Sequence, residues 1–209
     1  MIQRLLFQRF FAAVAICILI PCSMSCGGSR PSHLFSLTPE KGTTGDFRAD
    51  PPMTRVAIGI RTLKLPDYML REQIVTRTES DEIVVSEYHR WAEPVEKNFE
   101  RVLLEDLSKN IPTNNIFLFP AKDTSVTNYQ IVMEVIQFER QNNNTVILSV
   151  RWSIAEGEQI AFLMDKHSSY SEQISNEKYD SIVSAMSRLV GKLSEEIAAE
   201  IRNRAHSAK

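Results

Sequence analysis

Between Thr145 and Ile154 the chain alternates with a period of two: Val146, Leu148, Val150, Trp152 and Ile154 are separated by Ile147, Ser149, Arg151 and Ser153. Successive side chains of a strand point to opposite faces, so this pattern describes a strand with one core face and one mostly polar face. The run YQIVMEVIQFE (129 to 139) precedes it across Gln141-Asn142-Asn143-Asn144-Thr145, and the two read as an antiparallel hairpin. A half-buried sheet cannot stand alone; something apolar must cover its core face.

Two segments have the right period for that cover. In WAEPVEKNFERVLLEDLSKN (91 to 110), Val95, Phe99, Val102, Leu103 and Leu107 form one apolar helix stripe, with Pro94 in the first turn and Pro112 past the end. Its other face carries Glu96, Lys97, Glu100, Glu105 and Lys109, which reads as solvated surface. A longer helix is predicted from Glu177 to Arg204, with Asn176 as N-cap and Ile182, Met186, Leu189, Val190, Leu193, Ile197 and Ile201 as its buried stripe.

Shorter β-prone runs complete the sheet. VAIGI (56 to 60) is followed by a turn at Pro66-Asp67, and Gln73 to Thr78 and Glu82 to Ser86 form a second hairpin across Glu79-Ser80-Asp81. Phe117 to Pro120 and Ile160 to Ser169 supply further strands. About six strands and two helices define an α+β fold: a two-layer sandwich of a mostly antiparallel sheet with two main helices packed on one face.

The N-terminus has a different composition. Arg4 and Arg9 precede an uninterrupted apolar run, Phe10 to Ile20, and small or polar residues follow at Cys22, Ser23 and Ser25, the order of an export signal. The apolar run is about half the roughly 20 residues of a spanning helix. SMSC followed by GG looks like a bacterial lipobox, making Cys26 the residue for lipidation. Ser23 stands where such a box usually has Leu, whereas Cys22 has Leu19 in that place but Pro21 directly before it. All three cysteines (17, 22 and 26) lie in this leader, so a disulfide within the rest of the chain is excluded. Because one acyl chain binds a membrane only marginally, stable anchoring takes two or more, which a lipobox cysteine acquires in the families that have one. Gly27 after Cys26, rather than Asp, favours the periplasmic face of the outer membrane over inner-membrane retention.

The expected organisation is a lipoprotein signal peptide over 1–25, a lipidated N-terminus and flexible tether over 26–55, and a single α+β domain over 56–205. Residues 27 to 55 are rich in Gly, Pro, Ser and Thr and lack sustained period. Within them FSLTP, with Phe35, Leu37 and Pro39, reads as a short extended segment that adds to a sheet edge.

Charge and motifs exclude several functions. Without Arg4 and Arg9, the chain has 22 of its 24 basic side chains against 26 acidic ones, a net charge of −4 and no basic block, which argues against nucleic-acid binding. The four histidines (33, 89, 167 and 206) are scattered and form no HExxH or comparable metal-ligand pair. GxSxG, Walker and GxGxxG motifs are absent, and carboxylates such as Glu195-Glu196 read as solvated helix surface. The expectation is a chain that is not an enzyme, with no cofactor and no metal.

The lipobox, FSLTP and above all IGIRTLKLPDYMLREQIVTRTESDEIVVSEYHRWAEPVEKNFERVLLEDLS (58 to 108) resemble the PqiC family, lipoprotein auxiliary components of ABC-type and MCE-type transport systems. The resemblance continues through YQIVMEVIQFE, VILSVRWSI and Tyr179 to Ala198, and its most specific phrases are LPDYxxRxQIVTR and the WAEPxxxxF block. Phe35 replaces the usual Tyr of a Tyr-x-Leu segment and preserves the ring. The resemblance implies a non-catalytic periplasmic subunit beside an MCE-domain protein and inner-membrane transporter subunits, holding or receiving a conduit for phospholipid or other hydrophobic molecules. A ring of subunits could enclose a lipid passage between them. The alternative class is a free-standing envelope-integrity or lipid-binding lipoprotein without an MCE partner.

Candidate partner-binding residues are Leu65, Pro66, Tyr68, Leu70 and Arg71 in the loop after the first strand, with Arg90 and Trp91 before the first helix. Loop side chains serve recognition more often than packing, and Trp and Arg are favoured interface anchors. The competing reading is that Tyr68 and Trp91 cap the core. Arg77 and Glu93 read as structural ion-pair residues. Replacing Tyr68 and Arg71 by Ala is expected to weaken partner binding without unfolding the domain.

Overall fold

The structure is a computed structural model and describes residues 31–41, 56–119, 127–157 and 161–207. The chain divides into two units, Met1–Pro31 and Ser32–Lys209, and the fold concerns the second. The expected signal peptide and Cys26 lie outside the described residues.

Among the described residues, eight strands and two long helices follow one another as β1 (His33–Phe35), β2 (Ile58–Lys64), β3 (Gln73–Arg77), β4 (Ile83–Trp91), α1 (Val95–Asn110), β5 (Ile116–Leu118), β6 (Tyr129–Arg140), β7 (Thr145–Glu156), β8 (Ala161–Gln173) and α2 (Tyr179–Ser207). The long antiparallel pairings are β6 with β7 and β7 with β8, joined by β3 with β4. Asn144 closes the β6–β7 turn with φ 57°, and Asp81 closes the β3–β4 turn with φ 62°; short polar side chains tolerate this left-handed conformation better than others do. In β7 the period-two reading holds, with Val146, Leu148, Val150, Trp152 and Ile154 all within 1 % of complete burial.

The sheet forks at β6. One edge of β6 carries β7, while the other is shared: β2 runs parallel to it over Tyr129 to Glu134, and β3 touches it at Arg140. Beyond β2 lies β5, and beyond β3 lie β4 and then β1. The segment 65–72 crosses from one branch to the other.

Both helices cover the same face of this mixed α+β sheet, and every residue named in the two predicted stripes is buried. Phe99 of α1 meets Phe138 of β6 edge-on at 5.3 Å, and Trp152 of β7 is the largest fully buried side chain. Truncating a Leu in such a core costs about 2–5 kcal/mol, so these stripes carry much of the fold's stability. Asn176 lies two residues before the N-cap position: α2 begins at Tyr179, and the Asn176 Oδ1 accepts the Lys178 N–H at 3.0 Å and the Ser181 hydroxyl at 2.9 Å. Among the described residues no helix is long and apolar enough to cross a membrane.

The folded unit starts at Ser32, not at residue 56. β1 adds in parallel to β4 at the sheet edge, but of the expected FSLTP segment only Phe35 lies in it, and residues 36–39 continue outside the strand. Leu37 is then completely buried, and the backbone beyond it lies across both helices. Asn98 of α1 accepts the Leu37 N–H at 2.6 Å and donates to the Leu37 carbonyl at 3.3 Å. The Thr38 N–H reaches Ser187 Oγ of α2 at 3.1 Å, and the Glu40 N–H reaches Asp106 Oδ1 at 3.1 Å. A Cβ on Gly191 would come within 2.5 Å of Glu40 Cγ, so glycine lets this strap lie close to α2. Buried backbone polar groups need partners, and the strap finds them in helix side chains. Of the expected tether 26–55, residues 32–41 are therefore part of the domain.

Candidate functional site

The fork explains the loop that the sequence marks as distinctive. Leu65 and Met69 turn inward and are buried, and the backbone between them tightens into a single 3-10 turn, Asp67–Met69, with the Met69 N–H on the Pro66 carbonyl at 2.9 Å. Tyr68 points to Glu139 of β6, a completely buried carboxylate. Glu139 accepts four hydrogen bonds: from the Tyr68 hydroxyl at 2.7 Å, Arg77 Nε at 2.8 Å, Gln137 Nε2 at 2.9 Å and the Phe138 N–H at 3.1 Å. The Arg77 guanidinium also lies over the Tyr68 ring at 5.7 Å. Burial, and then the Glu139 carboxylate, push the Tyr68 phenol far above its ordinary range, so it stays a donor. The Arg77 guanidinium is held protonated first by its hydrogen bond to Glu139.

Past Met69 the loop faces outward. Leu70 is 49 % exposed and Arg71 and Glu72 are exposed. With Trp91, Ala92, Pro94 and Val95 at the β4–α1 junction they line a groove of about 480 Å³. The two walls are tied by the Trp91 N–H on the Glu72 carbonyl at 2.7 Å and by an Arg90–Glu72 ion pair at 3.0 Å. Pro94 precedes α1 at the N-cap position with φ −50° and no side-chain cap, and its carbonyl accepts the Asn98 N–H at 3.0 Å. Glu93, at the rim, is engaged by Arg101 of α1 at 2.8 Å.

The candidate residues thus separate into two groups. Leu70, Arg71 and Trp91 meet in the groove, with Arg90 fastening its wall. Leu65 and Pro66 build the turn, and Tyr68 holds Glu139. Tyr68→Ala would therefore disturb the fold as well as any docking, and Arg71 is the cleaner probe. Arg77 and Glu93 are both in ion pairs, with Glu139 and Arg101 respectively rather than with each other. Trp91 is only 6 % exposed, so it acts as the groove's buried back wall.

Several contacts escape a reading along the chain. His33 and His89 stack at 5.6 Å, and His89 stacks on Tyr179 at 3.8 Å, uniting two histidines that look scattered in sequence. Glu196 is bound by Ser168 at 2.8 Å, by Lys166 at 3.0 Å and by the Tyr170 hydroxyl, so it ties α2 to β8 instead of sitting as free surface. Asn98 and Asp106 fall inside the buried stripe of α1, between residues such as Val95, Phe99, Val102 and Leu107. Two polar residues in an apolar stripe are the legible sign that the helix meets backbone there. Among the described residues no group of three or more His, Cys, Asp or Glu is placed to hold a metal ion.

The site thus combines a fork-filling loop, an apolar groove whose Glu72 and Glu93 are paired with Arg90 and Arg101, and a strap leading toward the N-terminus. Residues 35–198 match the model of the ABC-type transport auxiliary lipoprotein component, and the chain belongs to that family. No curated protein matches by sequence. Among solved structures, a protein of Xanthomonas campestris superposes with a TM-score of 0.67 at 11 % identity, covering 85 % of this chain and 100 % of its own. Another, described as uncharacterized, gives a TM-score of 0.66 at 17 % identity, covering 82 % and 99 %. At these identities the likeness is one of fold.

Proposed function

We propose that this chain is a lipid-anchored subunit of an MCE/ABC-type intermembrane lipid transport system, held by Cys26 at the periplasmic face of the outer membrane. It docks or receives the periplasmic conduit formed by an MCE-domain protein and carries out no catalysis; energy enters through the inner-membrane transporter subunits. The observation that supports the reading most directly is the convergence of Leu70, Arg71 and Trp91 on one groove. An apolar partner side chain seated there would be desolvated against Trp91 while Arg71 meets a carboxylate or backbone carbonyl at the rim, the composition of an interface hot spot. Membership in the auxiliary lipoprotein family supports the transport setting.

The test is crosslinking in intact membranes with tagged protein, followed by mass spectrometry of captured proteins and of the Cys26 peptide. Recovery of an MCE-domain protein with an acylated Cys26, and its loss in Leu70→Asp, is the expected result. Acylated Cys26 without any MCE or ABC component would replace this reading with a free-standing envelope lipoprotein.

A further inference from the structure

β1 is the last described element before the N-terminal unit, and its hold on the domain is short. Three residue pairs join it to the end of β4: His33 with His89, Leu34 with Arg90 and Phe35 with Trp91. One further hydrogen bond, from the Ala92 N–H to the Phe35 carbonyl at 2.8 Å, completes the ladder. Trp91 and Ala92 are also a wall of the docking groove. Leu34 is 65 % exposed and adds little burial, so the side-chain hold of β1 is aromatic. His33 stacks on His89 with planes 19° apart, His89 stacks on Tyr179 with planes 11° apart, and Phe35 leans on both His89 and Tyr179 at 5.8 and 6.1 Å. Beyond Phe35 the strap is fastened separately by Asn98 and Ser187, so β1 can part from β4 while the rest of the strap stays in place.

The groups that face the His89 ring are His33 from β1, Tyr179 and Asp180 from the start of α2, and Ser86 of its own strand, whose Oγ lies 2.8 Å from Nδ1. Charging His89, half-buried among these groups, strips solvation from the imidazolium. Burial first, and then His33, hold His89 below its ordinary value, with Asp180 opposing in part. A lowered folded value means that the stack's contribution is fully present above the unfolded imidazole value, near pH 6.5, and is lost as pH falls from there through the folded value.

We propose that the His33–His89–Tyr179 stack is an acid-sensitive clasp: protonation releases β1, unpins the Trp91–Ala92 wall and weakens docking in the groove. The regulatory half rests on the docking reading above; the clasp itself does not.

Hydrogen exchange of the full-length lipoprotein in detergent tests it, compared at about pH 7.5 and about pH 5 after correction for intrinsic amide chemistry, with β7 as internal reference. The expected result is a gain of roughly fivefold or more in exchange at Phe35 and Ala92 in acid, with no gain in β7. The variant His33→Phe/His89→Phe keeps the rings and removes the charge, and is expected to remain protected at both pH values. Equal protection of the wild-type chain at both pH values, or an undiminished acid response in the double variant, overturns the clasp. Crosslinking to the MCE-domain partner at the same two pH values separates the readings. Acid-weakened capture that the double variant abolishes supports regulation, and clasp opening with unchanged capture overturns it. Absence of capture at either pH defeats the docking reading and leaves the exchange result to decide the clasp.

Discussion

The connection from β2 to β3 has two halves that look equally distinctive in sequence and behave oppositely in the fold. Leu65 to Met69 fills the fork of the sheet, with Met69 buried and Tyr68 bonded to the fully buried Glu139. Leu70 to Glu72 turns away from the core and lines a groove with the β4–α1 junction. A specific loop phrase such as LPDYMLR therefore mixes two demands: the first part solves a packing problem, and only the second part is free to bind. The inner half should tolerate almost no change, whereas the outer half should tolerate change in stability but not in docking.

Glu139→Ala tests that division with the largest expected effect. It leaves Arg77, itself largely buried, without its acceptor and orphans the Tyr68 hydroxyl. Breaking a buried ion pair from one side costs about 3–5 kcal/mol. Urea unfolding should show a loss of that order, and a loss below about 1 kcal/mol would mean that the fork is not held by this carboxylate. Tyr68→Phe removes one hydrogen bond to a charged acceptor and should cost about 1.5–3 kcal/mol by the same measurement. Partner capture by folded Tyr68→Phe should match the wild type; selective loss of capture at full stability would move Tyr68 to the binding half.

In the outer half, Arg71→Ala and Leu70→Asp should change stability by no more than about 0.5 kcal/mol, as expected for exposed positions. Their capture of the proposed MCE-domain partner should fall by roughly tenfold, the effect of losing about 1.4 kcal/mol at an interface. Stability loss without any change in capture would erase the distinction between the halves.

The same division explains what was legible in the sequence. Both helix stripes and the β6–β7 hairpin follow from local period and turn chemistry and are present, whereas the edge strand covers residues 33–35 and takes in only Phe35 of FSLTP. The fork was not legible, because β2 and β3 sharing one edge of β6 is a non-local pairing with no period of its own. Nor was the burial of Glu139, whose partners Tyr68 and Arg77 lie 71 and 62 residues away. His33 and His89 are likewise brought together only by the β1–β4 pairing. Of the candidate partner-binding residues, residue type alone could not separate Tyr68 from Leu70; the turn that points one inward and the other outward does so.

Asn98 and Asp106, one turn apart twice over on the buried face of α1, carry the smallest effect, and they differ in an instructive way. Asn98 satisfies both backbone groups of Leu37 without charge. Asp106 accepts the Glu40 N–H and Lys109 Nζ, each at 3.1 Å, on Oδ1, while its Oδ2 is buried without a hydrogen-bond partner. Burial therefore pushes the Asp106 carboxyl above its ordinary range, with Lys109 only partly offsetting it. For an acid with a raised folded value, the protonated form is favoured by folding, so its contribution is present below the unfolded value, near pH 4, and is lost as pH rises through the folded one. Asp106→Asn keeps an acceptor for the Glu40 N–H and cannot ionise. The stability of wild type minus that of Asp106→Asn, from urea unfolding across about pH 4 to 7, should therefore fall as pH rises. A difference that stays flat or climbs would mean that Lys109 fully compensates the buried charge, and the strap would then be held by an ion pair rather than by a carboxylate accepting a backbone N–H at a cost.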